Sequence, residues 1–255
     1  MKTNEMHIII TGAASGMGRH FALSLHREGA RVAAVDLNRE GLDALAAEAG
    51  DGPGTLKTYV ADVSKEPDVV ALVQQASEDL DGINGLVNNA GIFRDGFLVR
   101  LDKKTGGLKK MSLQNWQAVI DVDLTAPFLM TREVAGQMIE KQIRPGVVVN
   151  ISSVSRHGNM GQSNYSAAKA GLVADTKLWA RELAAHGIRV GAVAPGFIHT
   201  PLLDDMPEKM LDKMKSMIPL GRLGEPDEIY QAVRFIIQCD YFTARCLDVD
   251  GGVDL

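Results

Sequence analysis

The chain of 255 residues has two cysteines, Cys239 and Cys246, with no C-x-x-C spacing and no histidine cluster near them. That excludes a disulfide framework or a zinc-thiolate site and points to a reducing compartment. Long apolar runs are missing as well. The opening segment is apolar only from His7 to Thr11 before turning glycine-rich, and no stretch approaches the length of a membrane span. Nor is there an excess of positive charge: a net charge of −5 removes the electrostatic basis for nucleic-acid binding. No linker, internal repeat or low-complexity tract interrupts the sequence. These absences leave a cytoplasmic protein expected to meet neither membrane nor nucleic acid and to hold no metal. Its 45% hydrophobic residues suffice for a substantial core.

What is present is alternation. Short apolar runs begin at His7, Arg31, Thr55, Ile83, Gly146, Ile188 and Ala244. Amphipathic segments separate them over 18–28, 39–48, 67–80, 114–140, 165–185 and 226–237. In the third segment Val69, Val70, Leu72, Val73, Ala76 and Leu80 form an apolar stripe of helical period. Continuous Val/Ile runs alternating with helices predict a doubly wound parallel α/β sheet of Rossmann type, with seven strands and helices on both faces. With no compositional break, one domain is expected over 1–255.

The first run leads into "TGAASGMG", which places Gly12, Gly16 and Gly18 between a strand and a helix. Glycines there permit a tight turn and close approach of backbone to a pyrophosphate, which the free N–H groups of the helix start can hold. A glycine turn needed only for packing is the alternative. The second run ends at Asp36, where a dinucleotide fold places the acid that takes the ribose hydroxyls. Further on, "SNYSAAKAG" sets Tyr165 and Lys169 one helical turn apart on one face. The bland reading is a surface pair; the chemical one is a phenol that exchanges a proton, tuned by a neighbouring ammonium.

Together these motifs resemble the short-chain dehydrogenase/reductase family across essentially the whole chain. "TGAASGMG" resembles its glycine motif, "ADV" from Ala61 its adenine-contacting segment and "NNAG" from Asn88 the close of its fourth strand. "NISS" from Asn150, the Tyr165–Lys169 pair, "PGFIHT" from Pro195 and "DVDGG" from Asp248 follow in family order. Within the family, "GQSNYSAAKAGL" and "VAPGFIHTPL" are most similar to the bacterial 3-oxoacyl-carrier-protein reductases.

The resemblance implies hydride transfer between a nicotinamide cofactor and a secondary alcohol or ketone, with a 3-oxoacyl or other β-keto compound or acyl thioester as substrate. It makes Tyr165 the acid or base, Lys169 the tuner of the phenol, and Ser153 the carbonyl holder. Ser152 and Ser155 stay open as alternatives because the loop to Tyr165 is one residue short of typical relatives. The cofactor would be held by Gly12, Ser15, Gly16, Met17, Gly18, Asp36 and Leu37, then by Asp62, Val63, Asn89, Ala90 and Gly91. Tyr165, Lys169, Pro195, Gly196, Ile198 and Thr200 would complete its site. Asp123 stands where the family usually has Asn, a residue that helps hold a water linked to the lysine; a tolerated exchange and an impaired relay are both open. A homotetramer is implied.

Asp36 favours NAD(H), because a 2′-phosphate would meet a like charge, whereas Arg39 is the one group that could accommodate NADP(H). Two further readings are an NADPH-dependent 3-oxoacyl-[acyl-carrier-protein] reductase and a non-catalytic nucleotide-binding regulator on the same fold. Met206, Met210, Met214 and Met217 recur at helical spacing, as a packing face or as part of a lid over 196–220. "LDKKTGGLKKM" from Leu101 reads as an inserted, solvated hairpin, with an acidic carrier or acyl-phosphopantetheine chain as the alternative. His157 and His199 are read as loop residues.

Overall fold

Period-two burial along the strands explains how one sheet serves two cores. In the computed structural model, which describes residues 1–204 and 206–253, the strands are β1 (His7–Thr11), β2 (Arg31–Asp36), β3 (Thr55–Val60), β4 (Gly85–Asn88), β5 (Val99–Leu101), β6 (Leu108–Lys110), β7 (Gly146–Ile151), β8 (Ile188–Pro195) and β9 (Cys246–Val249). Seven of them pair in parallel in the order β3-β2-β1-β4-β7-β8-β9, while β5 and β6 form a separate antiparallel hairpin.

The helices are α1 (Gly16–Arg27), α2 (Arg39–Ala49), α3 (Glu66–Asp79), α4 (Leu113–Ile120), α5 (Ala126–Glu140), α6 (Ser163–Leu183), α7 (Pro201–Asp204), α8 (Glu208–Ser216) and α9 (Pro226–Gln238). Ile8, Ile10, Val32 and Ala34 turn to one face, against Phe21 and Leu25 of α1, Leu42 of α2 and Val233 of α9. Ile9, Ala33, Val35 and Val148 turn to the other, against Leu72 and Val73 of α3 and Met130 and Val134 of α5. Fully burying each of the Val, Leu, Ile, Phe and Met side chains among these contributes about 1.5–3 kcal/mol. Both faces are covered, as the continuous Val/Ile runs require.

The apolar pattern over 114–140 predicts one helix, and the structure divides it. Between α4 and α5 residues 121–125 widen into a π turn, in which Ala126 N–H donates to Asp121 C=O. Pro127 supplies the reason: it carries no N–H, so the Asp123 carbonyl has no donor four residues on. From β1 the chain winds outward through β2 and β3, and from β4 it winds the opposite way. The crevice beyond the carboxyl ends of β1 and β4 is therefore the topological switch point, where such sheets bind ligands. Asp205, which falls within the lid expected over 196–220, lies outside the described residues, as do Asp254 and Leu255. Among the described residues no helix is long and apolar enough to cross a membrane.

Candidate active site

The crevice has two adjoining halves. One is a groove of about 360 Å³ lined by Gly12, Ser15, Met17, Asp36, Leu37, Asp62, Val63, Asn89, Ala90 and Gly91. The other, of about 240 Å³, is lined by Ser153, Tyr165, Lys169, Pro195, Gly196, Ile198 and Thr200, and shares Met17, Asn89 and Gly91 with the first. A larger hollow of about 540 Å³ between α1 and α9 holds none of the motif residues.

The first half is shaped by what glycine lacks. A Cβ on Gly18 would stand 2.1 Å from the Gly12 carbonyl, and one on Gly12 would meet Ala90 Cα at 2.9 Å. Gly12 and Gly16 also hold φ values of 67° and 53°, which side chains disfavour. Gly16 and Gly18 do not line the groove; they let the turn close, and the opening N–H groups of α1 stay available behind its cap Ser15. Asn89 Nδ2 donates to the Thr11 and Gly12 carbonyls at 3.0 and 3.3 Å, leaving its buried Oδ1 without a partner. An open cradle at a helix start, with an unfilled acceptor inside it, fits a dinucleotide. At the far end the Asp36 carboxylate accepts from Ala14 N–H at 3.0 Å and Asn38 N–H at 2.9 Å. Those bonds aim it and leave each oxygen a further lone pair for a ribose hydroxyl. The Asp62 side chain instead accepts from the Ser64 N–H and hydroxyl, capping its own turn.

In the second half three elements bring the candidate side chains together. Tyr165 and Lys169 rise from the first turns of α6, both buried, with the Lys169 ammonium 5.4 Å from the phenol ring centroid. Ser153, just past the end of β7, lines the cavity together with Tyr165, and its Oγ accepts from Ser155 N–H at 3.1 Å. Of the alternatives for the serine, Ser152 spends its Oγ hydrogen on the Lys169 carbonyl at 3.0 Å, while Ser155 lines the cavity beside Ser153. Lys169 Nζ donates to Ile151 C=O at 3.1 Å and lies 3.2 Å from Asp123 Oδ2. Asp123 Oδ1 accepts from Ile92 N–H at 2.9 Å.

Asp123, grouped by its motif position with the catalytic residues, is fully buried and has no surface in either cavity. It touches Lys169 and the backbone of Ile92, and can act on the reaction only through them. Burial pushes its carboxyl above the ordinary range, with the Lys169 charge pulling back. Burial alone would depress Lys169, but Asp123 and then Tyr165 outweigh it and hold the ammonium above its usual value. For Tyr165, Lys169 pulls the pKa down as expected, but it is outweighed. In the protein alone the phenol lies above its ordinary value, because burial outweighs the pull of Lys169 and Asp123 adds repulsion.

The family model described as "Enoyl-(Acyl carrier protein) reductase" matches residues 12–254. The chain belongs to the short-chain dehydrogenase/reductase family. It is an oxidoreductase of the NAD(P)-dependent kind that acts on CH–OH or C=O groups. It is 43% identical over 248 residues to the 3-oxoacyl-[acyl-carrier-protein] reductase FabG of Thermotoga maritima, covering 96% of each chain. It is 40% identical to the (3R)-3-hydroxyacyl-CoA dehydrogenase of Canis lupus familiaris, over 96% of this chain and 95% of that one. A crystal structure of a short-chain type dehydrogenase/reductase from Mycobacterium marinum superposes with a TM-score of 0.86 at 31% identity, covering 96% and 94% of the two chains.

Three residues of this short-chain dehydrogenase/reductase site have no role assigned by the sequence motifs, although two of them stand inside one. Phe93 stacks on Tyr165 with ring centroids 4.6 Å apart and lines the cavity. Asn164, fully buried, donates to the carbonyls of Arg94 and Asn115, both at 3.1 Å, and accepts from Tyr165 N–H at 2.9 Å. Gln162 lines the cavity and donates to Asp95 at 3.1 Å. A buried Asn next to the tyrosine was the only readable hint. Of the four methionines, Met214 lines the cavity and packs with Met206 beside Leu203 and Ile218, while Met210 and Met217 are exposed.

Proposed function

We propose that the enzyme interconverts a β-keto acyl thioester and its 3-hydroxy counterpart, and that it prefers NAD(H) to NADP(H). The observation that carries the reading is the Ser153–Tyr165–Lys169 cluster in a cavity with apolar walls, among them Phe93, Val154, Phe197, Leu203 and Met214. Such walls suit an acyl chain, and the hydroxyls suit the oxygen of a carbonyl.

A bound nicotinamide supplies or accepts the hydride. Tyr165 gives its phenolic proton to the substrate oxygen as the alkoxide forms, and takes it back in the reverse direction. Ser153 donates to the same oxygen and polarises it. Lys169 holds positive charge beneath the phenol and stabilises the phenolate; a cationic oxidised cofactor adds to that pull and opposes the burial that raises the phenol. Asp123 anchors the ammonium from behind through its carboxylate. Residues 196–220 serve as the lid within a single domain, and the enzyme works as a cytoplasmic homotetramer.

For the cofactor, two unit charges 4 Å apart repel by about 4 kcal/mol at an effective dielectric near 20, so Asp36 disfavours a 2′-phosphate. Arg39, exposed at the start of α2, is the observation that favours the NADP(H) reading. The test is steady-state kinetics with acetoacetyl thioesters, diketones and quinones against both cofactors. A kcat/KM preference for NADPH, or turnover of quinones but no thioester, would overturn the respective half of the proposal.

A further inference from the structure

The hairpin between the two halves of the chain is built oddly for a free surface feature. Every residue of β5 and β6 is exposed, on both faces of the ribbon. Register places Val99, Leu101 and Leu108 on one face, since Val99 pairs with Lys110 and Leu101 with Leu108. These three are 52%, 67% and 66% exposed. A lone two-stranded ribbon is marginal in water, and an apolar row on an uncovered ribbon is an interaction surface in want of a partner.

Charge says what kind. Residues 94–110 carry six cations against two carboxylates, a net +4, so the remainder of a chain with net −5 carries −9. Lys109 pairs with Asp102, and Asp95 accepts from Gln162. Lys103, Lys104 and Lys110 keep no carboxylate partner among the described residues. An acidic partner is thus repelled by most of the surface and drawn to this one place.

The place adjoins the cavity. Gly96 N–H donates to the Gly161 carbonyl at 2.8 Å, and Gly96 bridges to Gln162, which lines the cavity wall. Phe93, stacked on Tyr165, lies only a few residues before β5.

We propose that the β5–β6 hairpin docks an acidic carrier protein that presents its acyl thioester to this cavity. The inference rests on the thioester reading above. An exposed ribbon with an apolar row rimmed by lysines fits the face of an acidic, amphipathic helix. A second copy meeting it across a two-fold axis would set like charges together.

The experiment uses Lys103→Glu combined with Lys104→Glu at the turn, residues that line neither cavity. Kinetics are measured with 3-oxobutanoyl groups on an acyl carrier protein, on coenzyme A and on pantetheine. The variant should lose at least tenfold in kcat/KM on the carrier substrate, through KM with kcat unchanged, and the loss should shrink with added salt. The coenzyme A and pantetheine esters should change by less than twofold. An unchanged KM on the carrier sinks the docking assignment while leaving the thioester reading intact. Equal losses on coenzyme A would assign the lysines to nucleotide phosphate instead, and an altered oligomeric mass would assign the hairpin to a second copy. If the wild type reduces none of the three esters, the thioester reading itself falls and the docking surface with it.

Discussion

The two halves of the crevice are made of different material. The groove beyond β1 and β4 is shaped by backbone: glycines where a Cβ would collide, carbonyls held by Asn89, and N–H groups that aim the Asp36 carboxylate. The cavity beyond β7 and β8 is shaped by side chains from segments far apart in the chain, with Phe93, Gln162, Leu203 and Met214 converging around the buried Tyr165. Backbone geometry repeats from protein to protein because the ligand it holds is the same. Side-chain walls follow the substrate, so they vary, and they leave no fixed spacing in the sequence.

The largest effect that sharpens this contrast falls on the side-chain half. Tyr165→Phe removes the proposed proton donor but no part of the groove. Turnover should fall by a factor of about 10²–10⁴ or more, while NADH binding, followed by fluorescence titration, stays within a few-fold of wild type. Parallel loss of both would show that the halves are not separable. Lys169→Met, by contrast, should damage both readouts.

Ser153→Ala should come next, with kcat/KM lowered by about 10²–10³ as one donor to the developing oxyanion goes. Ser152→Ala is the companion measurement. Its hydroxyl ties β7 to the Lys169 carbonyl, so the variant should lose about 1 kcal/mol of stability, read from thermal or denaturant melts. If Ser152→Ala proved the worse for catalysis, the two serines would have to exchange roles.

Asp36→Ala probes the backbone-made half. It should narrow the NADH over NADPH ratio of kcat/KM by about tenfold or more, chiefly because NADPH gains. An unaltered ratio would mean that Arg39, not Asp36, sets the choice.

Asp123→Asn should have the smallest effect on the maximal rate, below about tenfold or about 1.4 kcal/mol of barrier. Its signature lies in pH. The Asp123 charge holds both the phenol and the ammonium up, so its removal should move the acid limb of alcohol oxidation, where phenolate is required, to lower pH. A Lys169 pKa raised in the fold contributes stability that is complete below the ordinary lysine value and lost as pH rises through the folded value. In Asp123→Asn that alkaline contribution should diminish. A pH profile identical to wild type would leave Asp123 with packing alone.

Legibility in the sequence followed the same division. The seven strands, the helices on both faces and the switch point were readable, because a period of 2 or 3.6 in apolar residues follows from which faces must be buried. The glycine motif and the Tyr165–Lys169 pair stand out in the sequence because each sets its residues within a few positions of chain, and Asp36 because it closes the second strand. The break at 121–125 was readable only in part: Pro127 stands in the sequence, but the helical apolar pattern runs through it and hides the widened turn. The serine was readable as Ser153 from its place after β7, with Ser152 and Ser155 left open because all three stand within four positions of chain and line the same cavity.

By itself, then, the order of residues determined the parallel sheet, the glycine-shaped end of the crevice and the one-turn spacing of phenol and ammonium, all of which are local consequences of backbone sterics and burial. Tertiary structure alone decided that Asp123 lies 3.2 Å behind Lys169, that Asn164 pins the loop after β4 to the start of α6, and that the phenol titrates high despite its lysine. Those outcomes depend on distance and desolvation between segments dozens of residues apart. Coulomb and solvation energies are set by where groups end up in space, and no spacing along the chain encodes that.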